Sequence, residues 1–407
     1  MLWRVIFLVC VLGYLGITQA QPLPKNAGTP AFAIRQRAVL PEASGTDKAS
    51  MALSADGRLL ATGIGRGPVK LWDAGSGQLI AELSGTEGQS PHIFSQVDDR
   101  LLVSTSLKSV SLYDLNAMKL RWYLKLDNLL GSLNLFRGFS PDGELFIINS
   151  EGKGKVTVWE TKTARMLASR HCSEPFFKSS FSQDSKTILT SCGGRKSILW
   201  DARTGNTIAE FSSPADVLVA MFGPDAESVT TITMNGHVIV WDTASGQMKN
   251  SWGRDCQIFY ATFSPDRKVL ATVGWSGIVD LWDVENQKLS RQLRISRSAT
   301  HVNFSSDSRF LTANGHTGEV AVWNVADGSP VLNITEHRKD IDYVLFSSDN
   351  NLLVSYGADA VNVWDLVSKA HLAKLTEATL PAFLSNDGKL LVTGGQKKTV
   401  ILWEVTP

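Results

Sequence analysis

An aromatic residue, tryptophan in all copies but one, recurs along this chain with an almost fixed period. The positions are Trp72, Tyr113, Trp159, Trp200, Trp241, Trp282, Trp323, Trp364 and Trp403, spaced by 41, 46, 41, 41, 41, 41, 41 and 39 residues. The following residue is Asp in six copies and Glu160, Asn324 or Glu404 in the others. A second mark keeps phase with the first. Asp56, Asp98, Asp142, Asp184, Asp225, Asp266, Asp307, Asp349 and Asp387 each stand 15 to 17 residues ahead of the aromatic. Between the marks lie two short apolar runs, such as VLATV and IVDLW within residues 263–283, split by a turn that carries glycine. Alternating, β-branched runs of this length read as two strands and a hairpin. One copy cannot bury both faces of its own sheet, so the nine copies must stack on one another.

The residue types at the marks have local reasons. Aspartate in a tight turn hydrogen-bonds its own backbone. The slot before the turn is apolar throughout, with phenylalanine at Phe94, Phe139, Phe181, Phe263, Phe304 and Phe346. Such side chains are expected to fill the space between neighbouring copies. A buried indole needs a partner for its N–H. A hydroxyl stands ten residues before the tryptophan in five copies, at Thr62, Thr190, Thr231, Thr272 and Thr393, which predicts a threonine–tryptophan bond there.

The Ser-Pro-Asp-like turn, the Trp-Asp pair and the period together resemble the WD40 repeat family, over essentially the whole chain after residue 31. The resemblance implies four-stranded blades, strands a to d, arranged as an all-β propeller. It also implies a buried network in which a histidine before strand a and an aspartate between strands b and c join the threonine and tryptophan. Here only His337 falls at the histidine position, and Cys172 takes it in the fourth copy. The b–c turns carry Arg66, Gly194, Asn235, Ser276, Thr317 and Lys397 instead of the aspartate, so most of these networks are expected to be incomplete. The last copy reaches Pro407 four residues after Trp403 and has no room for strand d. Residues 32–41 form a lone strand with no blade of its own. The two deficits match. Residues 32–41 are predicted to pair antiparallel with 399–405 and close one ring of nine blades, the alternative being eight with one repeat displaced.

The first twenty residues, MLWRVIFLVCVLGYLGITQA, hold one early cation, a short apolar run and small residues at the end. This reads as an export signal, the alternative being an N-terminal anchor. Residues 21–31 read as a linker and 32–407 as the propeller. An exported setting, periplasmic or secreted, is therefore expected. With the signal removed, Cys172, Cys192 and Cys256 remain. A Cys172–Cys192 bridge and buried free thiols are both open at this point.

The balance of 40 Lys+Arg against 39 Asp+Glu gives no basic face for nucleic acid. No metal-ligand, P-loop, nucleophile-elbow or dinucleotide motif occurs, and the acids in the predicted channel-lining strands are Asp340 and Asp342. A non-enzyme without cofactor or metal is expected, acting as a monomeric scaffold for a protein or peptide. Two alternatives remain: a propeller enzyme with a ligand or metal in its channel, and an envelope component that binds a small ligand. The loops before strand a and between b and c share one rim. Their candidate contact residues are Trp275, His316, His237, Tyr356, His337 and Arg338, joined by Leu129 and Leu130 in the longer loop 126–134.

Overall fold

The computed structural model describes residues 33–40, 50–63, 67–86, 90–94, 101–106, 109–126, 134–150, 154–172, 178–223, 227–274, 276–296, 299–315, 318–357, 359–396 and 399–406. The expected signal and linker, Asp98, Asp225, Trp275, His316, Leu129 and Leu130 lie outside the described residues.

The described strands form nine four-stranded antiparallel sheets, the blades of a β-propeller. Eight blades are four strands consecutive in sequence, and in sequence order they are blades 1 to 8. Blade 6 is typical: Tyr260–Phe263, Val269–Val273, Ile278–Asp283 and Lys288–Arg294. The core lies between blades rather than within one. Trp282 of blade 6, for example, shares a buried cluster with Ile232, Val238 and Trp252 of blade 5.

Both hairpin turns are built by the marks read in the sequence. In seven blades the turn serine donates its hydroxyl proton to the turn aspartate, as Ser264 does to Asp266 at 2.6 Å. The serine oxygen then accepts the first amide of strand b, as from Val269 at 2.9 Å. Burial works against the Asp266 charge, but Ser264 and the Lys268 amide outweigh it and hold the carboxyl below its usual range. The aspartate after the tryptophan serves the next turn. Asp242 accepts the Ser245 amide at 2.8 Å and the Ser245 hydroxyl at 2.7 Å.

The tryptophans are 0 to 7% exposed. All five expected indole bonds form: Trp72 to Thr62, Trp200 to Thr190, Trp241 to Thr231, Trp282 to Thr272 and Trp403 to Thr393, at 2.8 to 3.1 Å. In two blades where the hydroxyl position differs, the indole finds another partner. Trp159, with Asn149 in that place, donates to Thr157 at 2.8 Å, and Trp364 donates to Ser355 at 3.2 Å. The phenylalanines before the turns pack as expected against the inter-blade clusters, though most stay partly exposed; Phe94 is the buried one.

The ring closes as the strand deficits required. Ala33–Leu40 pairs antiparallel with Val400–Thr406, completing the ninth blade beside Leu390–Gly394 and Thr379–Leu384. Each outer strand slips one residue opposite the tryptophan site, and the closing strand does the same. Gln36 pairs with Trp403 and Ala38 with Leu402, leaving Arg37 out, as Trp282 pairs with Leu289 and Leu281 with Arg291. The closing segment thus reproduces the outer-strand bulge of the other blades. Leu40, 2% exposed, packs with Met51, Leu60 and Trp72 of blade 1, and Ile34 packs against the blade 8–9 cluster.

Cys172 and Cys192 are joined by a disulfide, with Cα atoms 5.1 Å apart and a sequence separation of 20. Both are buried in the cluster between blades 3 and 4. Closing a loop of this size removes conformational freedom from the unfolded chain, worth about 3 kcal/mol in the chain-entropy model. The Cys172→Ser, Cys192→Ser variant should lose about that much in urea unfolding. Equal midpoints for the two proteins would remove the bridge from the stability account.

Candidate interaction rim

The loops that precede strand a and the b–c turns meet on one face of the ring. In blades 5 to 8 they are tied together by side chains rather than left as free loops. In blade 5, His237 Nε2 lies 2.8 Å from Asp255 Oδ1 in the next loop. Arg254 of that same loop reaches Asp280 in strand c of blade 6 at 2.8 Å. Asp280 is 3% exposed, and its other oxygen accepts a bond from Gln292 at 2.8 Å. A buried carboxylate is tolerated because both oxygens are answered. In blade 7, Glu319 accepts the amide and hydroxyl of Ser296.

Blade 8 carries the most complete tie. His337 Nδ1 lies 2.8 Å from Asp359 Oδ1 and Nε2 lies 2.9 Å from Ser355 Oγ. Asp359 is a carboxylate acceptor, so Nδ1 carries the proton and Nε2 accepts. Ser355 in turn accepts the Trp364 indole, and Asn362 Nδ2 also approaches Nε2 at 3.0 Å. Burial opposes the Asp359 charge, yet the Arg338 amide and His337 hold its carboxyl below the usual range. His371, stacked on Trp364 at 4.1 Å, hydrogen-bonds Asn362 at 3.0 Å, and burial pushes its pKa down. The implied polar network is therefore complete in this blade.

These positions correct two sequence expectations. His337 is 3% exposed with both ring nitrogens engaged, so it is a strut and not a contact residue. Tyr356 is 8% exposed, pairs with Tyr343 between strands b and a, and stacks on its ring. It belongs to the channel wall, not the rim. Of the remaining expected residues, Arg338 is exposed in blade 8 and His237 is half-buried in blade 5. They lie three blades apart and form no common site.

The rim does hold a cleft of about 510 Å³ where the loops of blades 4, 5 and 6 converge. Arg195, Asp216, Met234, Asn235, Asp255 and Gln257 line it, with Ala215 and Cys256. The backbone around it is tightly set. Cys256 N–H bonds Asn235 O at 3.1 Å, and Ile258 N–H bonds Met234 O at 3.0 Å. Gly236 has φ +89°, and a Cβ there would meet the carbonyls of Arg254 and Cys256. Only glycine fits that approach. The half-buried thiol of Cys256 is pushed up by burial, with Arg254 acting in the opposite sense. It stays protonated at neutral pH and is a poor nucleophile. Among the described residues no group of three or more His, Cys, Asp or Glu is arranged to hold a metal. The sequence pattern missed this cleft because its walls come from three copies at once. The b–c turns, which supply Arg195 and Asn235, were the available signal.

No family model matches the sequence, and no curated protein matches it. Among solved structures the chain is similar to the computationally designed Ika8 protein. The TM-score is 0.59 at 18% identity, over 81% of this chain and 100% of that one. At that identity the likeness shows the propeller fold alone. No helix among the described residues is long and apolar enough to cross a membrane.

Proposed function

We propose that this chain is an exported, WD40-type propeller that works without catalysis, as a rigid scaffold for a protein or peptide partner docked on the loop-bearing rim. The observation that carries the reading is the pinned rim of blades 5 to 8. His237–Asp255, Arg254–Asp280, Glu319–Ser296 and His337–Asp359 fix loops that would otherwise lose freedom on binding. A pre-organised surface loses less entropy when a partner docks. The cleft between blades 4 and 6 offers both charge signs, Arg195 beside Asp216 and Asp255, as a polar peptide segment requires. The WD40-type reading draws on the threonine–tryptophan bonds, the serine–aspartate turns and the blade 8 network. Export draws on the N-terminal signal pattern and on the Cys172–Cys192 bridge, since disulfides persist in oxidising compartments.

The test is affinity capture from the native exported fraction with three baits: wild type, Arg195→Glu/Asp255→Arg, and Lys162→Glu. Lys162 sits in a c–d turn on the opposite face. A partner captured by wild type and Lys162→Glu but lost by the rim variant supports the proposal. Equal capture by all three removes the rim. Turnover by purified protein that carries stoichiometric metal would remove the non-catalytic reading.

A further inference from the structure

The first strand of each blade faces the ring axis, and three neighbouring blades place an aromatic ring there at one level. Tyr260 pairs with Val273, His301 with Asn314, and Tyr343 with Tyr356. Each strand b partner is the residue directly after the position ten before the tryptophan, or nine before it in blade 8, so the three rings share a register. In blade 5 Val219 holds that level, paired with Ile232, so the aromatic run begins at blade 6. Two of the three rings touch along the wall, and the third rests on a neighbour in its own blade. Tyr260 and His301 meet edge to face with centroids 5.1 Å apart, and Tyr343 stacks on Tyr356 at 6.0 Å. Tyr343 is 42% exposed, an unusual state for a ring that packs on a buried neighbour.

Burial, then Tyr343, push the Tyr260 phenol above its usual range. Burial, then Tyr343 and Asp342, push Tyr356 up as well. Both phenols keep their protons at neutral pH. Aromatic faces carry negative quadrupole density and attract cations, alkylated ammonium groups above all.

We propose that the crescent Tyr260–His301–Tyr343 is a binding site for a small organic cation, a free quaternary ammonium solute. Its alkyl groups would cover the ring faces, and its charge would meet the quadrupoles beside Asp342. An anion would meet the Asp342 carboxylate and gain nothing from the negative ring faces. A neutral apolar solute would gain the contact area and not the charge term. The site lies on the channel wall, apart from the rim loops, so it stands or falls independently of the scaffold reading.

Calorimetric titration of the whole protein with tetramethylammonium chloride tests it, at ionic strength matched with sodium chloride. Saturable binding is expected, about tenfold tighter than that of tert-butanol, a neutral molecule of similar shape. Tyr343→Leu should weaken binding about tenfold, whereas Tyr343→Phe, which keeps the ring face, should stay within about threefold of wild type. Tyr343 is exposed enough that both variants should keep the wild-type melting temperature. Equal affinity for tert-butanol would overturn the proposal, as would methyl glucoside binding in place of the cation. So would the absence of saturable heat up to a concentration on the order of 100 mM, or loss of binding in Tyr343→Phe equal to that in Tyr343→Leu.

Discussion

Trp282→Ala is expected to lower the unfolding free energy by about 3–5 kcal/mol. The indole is 4% exposed and touches two sheets at once. On one side lie Ile232, Val238 and Trp252 of blade 5, and on the other Leu270 of its own blade. Trp252 approaches it with centroids 5.5 Å apart. Neither wall can collapse into the space without pulling its whole sheet, so the cavity term should persist. Thr272 also loses the indole N–H that it accepts at 3.1 Å. Phenylalanine separates the two losses. Trp282→Phe keeps most of the volume and drops the hydrogen bond, for about 1–2 kcal/mol. Trp323 has Ala313 in the hydroxyl position, so Trp323→Phe should cost less than Trp282→Phe in the same chemical unfolding assay. A surface-like loss below about 0.5 kcal/mol for Trp282→Ala would mean that the indole does not hold the two blades together.

The same residues show what a sequence of this kind discloses. The period is written nine times, the serine–aspartate turn forms in seven blades, and the threonine–tryptophan bond forms in all five copies that carry the hydroxyl. Ring closure was legible because a missing strand at one end and a surplus strand at the other are both facts of the chain. The proposed binding surfaces were not. Arg195, Asp216 and Asp255 come from three copies and converge only when the ring is closed. His337 and Tyr356 share composition with contact residues, a histidine and a tyrosine near loops, but burial is decided by which neighbours surround them. Asp359 gave His337 its partner and turned it into a strut. Tyr260, His301 and Tyr343 sit 41 and 42 residues apart and become one wall only through the common register of three strands. Repetition specifies the scaffold, whereas both proposed sites use positions where the copies differ.

Removing residues 33–40 should have the largest effect of all, because it acts on the ring and not on one contact. Among the described residues the closing strand is the one partner of the outer edge of Val400–Thr406. Without it the outer edge of Val400–Thr406 presents the open N–H and C=O groups of alternate residues, and the apolar surface once covered by Leu40 and Ile34 meets water. Leu40 alone fills a site between Leu60, Trp72 and Leu402. Summed over the strand, burial and hydrogen bonds should account for more than about 5 kcal/mol. The exposed edge is also a template for a second copy. The truncated protein is therefore expected to unfold at much lower denaturant and to elute as dimers or larger species in size-exclusion chromatography. A synthetic peptide of residues 33–40 should restore both the midpoint and the monomer by adding its strand in trans. A version with Ile34 and Leu40 replaced by aspartate should not, because its backbone still offers the hydrogen bonds while its apolar anchors are gone. Should the truncated chain stay monomeric with an unchanged midpoint, the ninth blade would be stable with three strands and the N-terminal segment would have no part in closure.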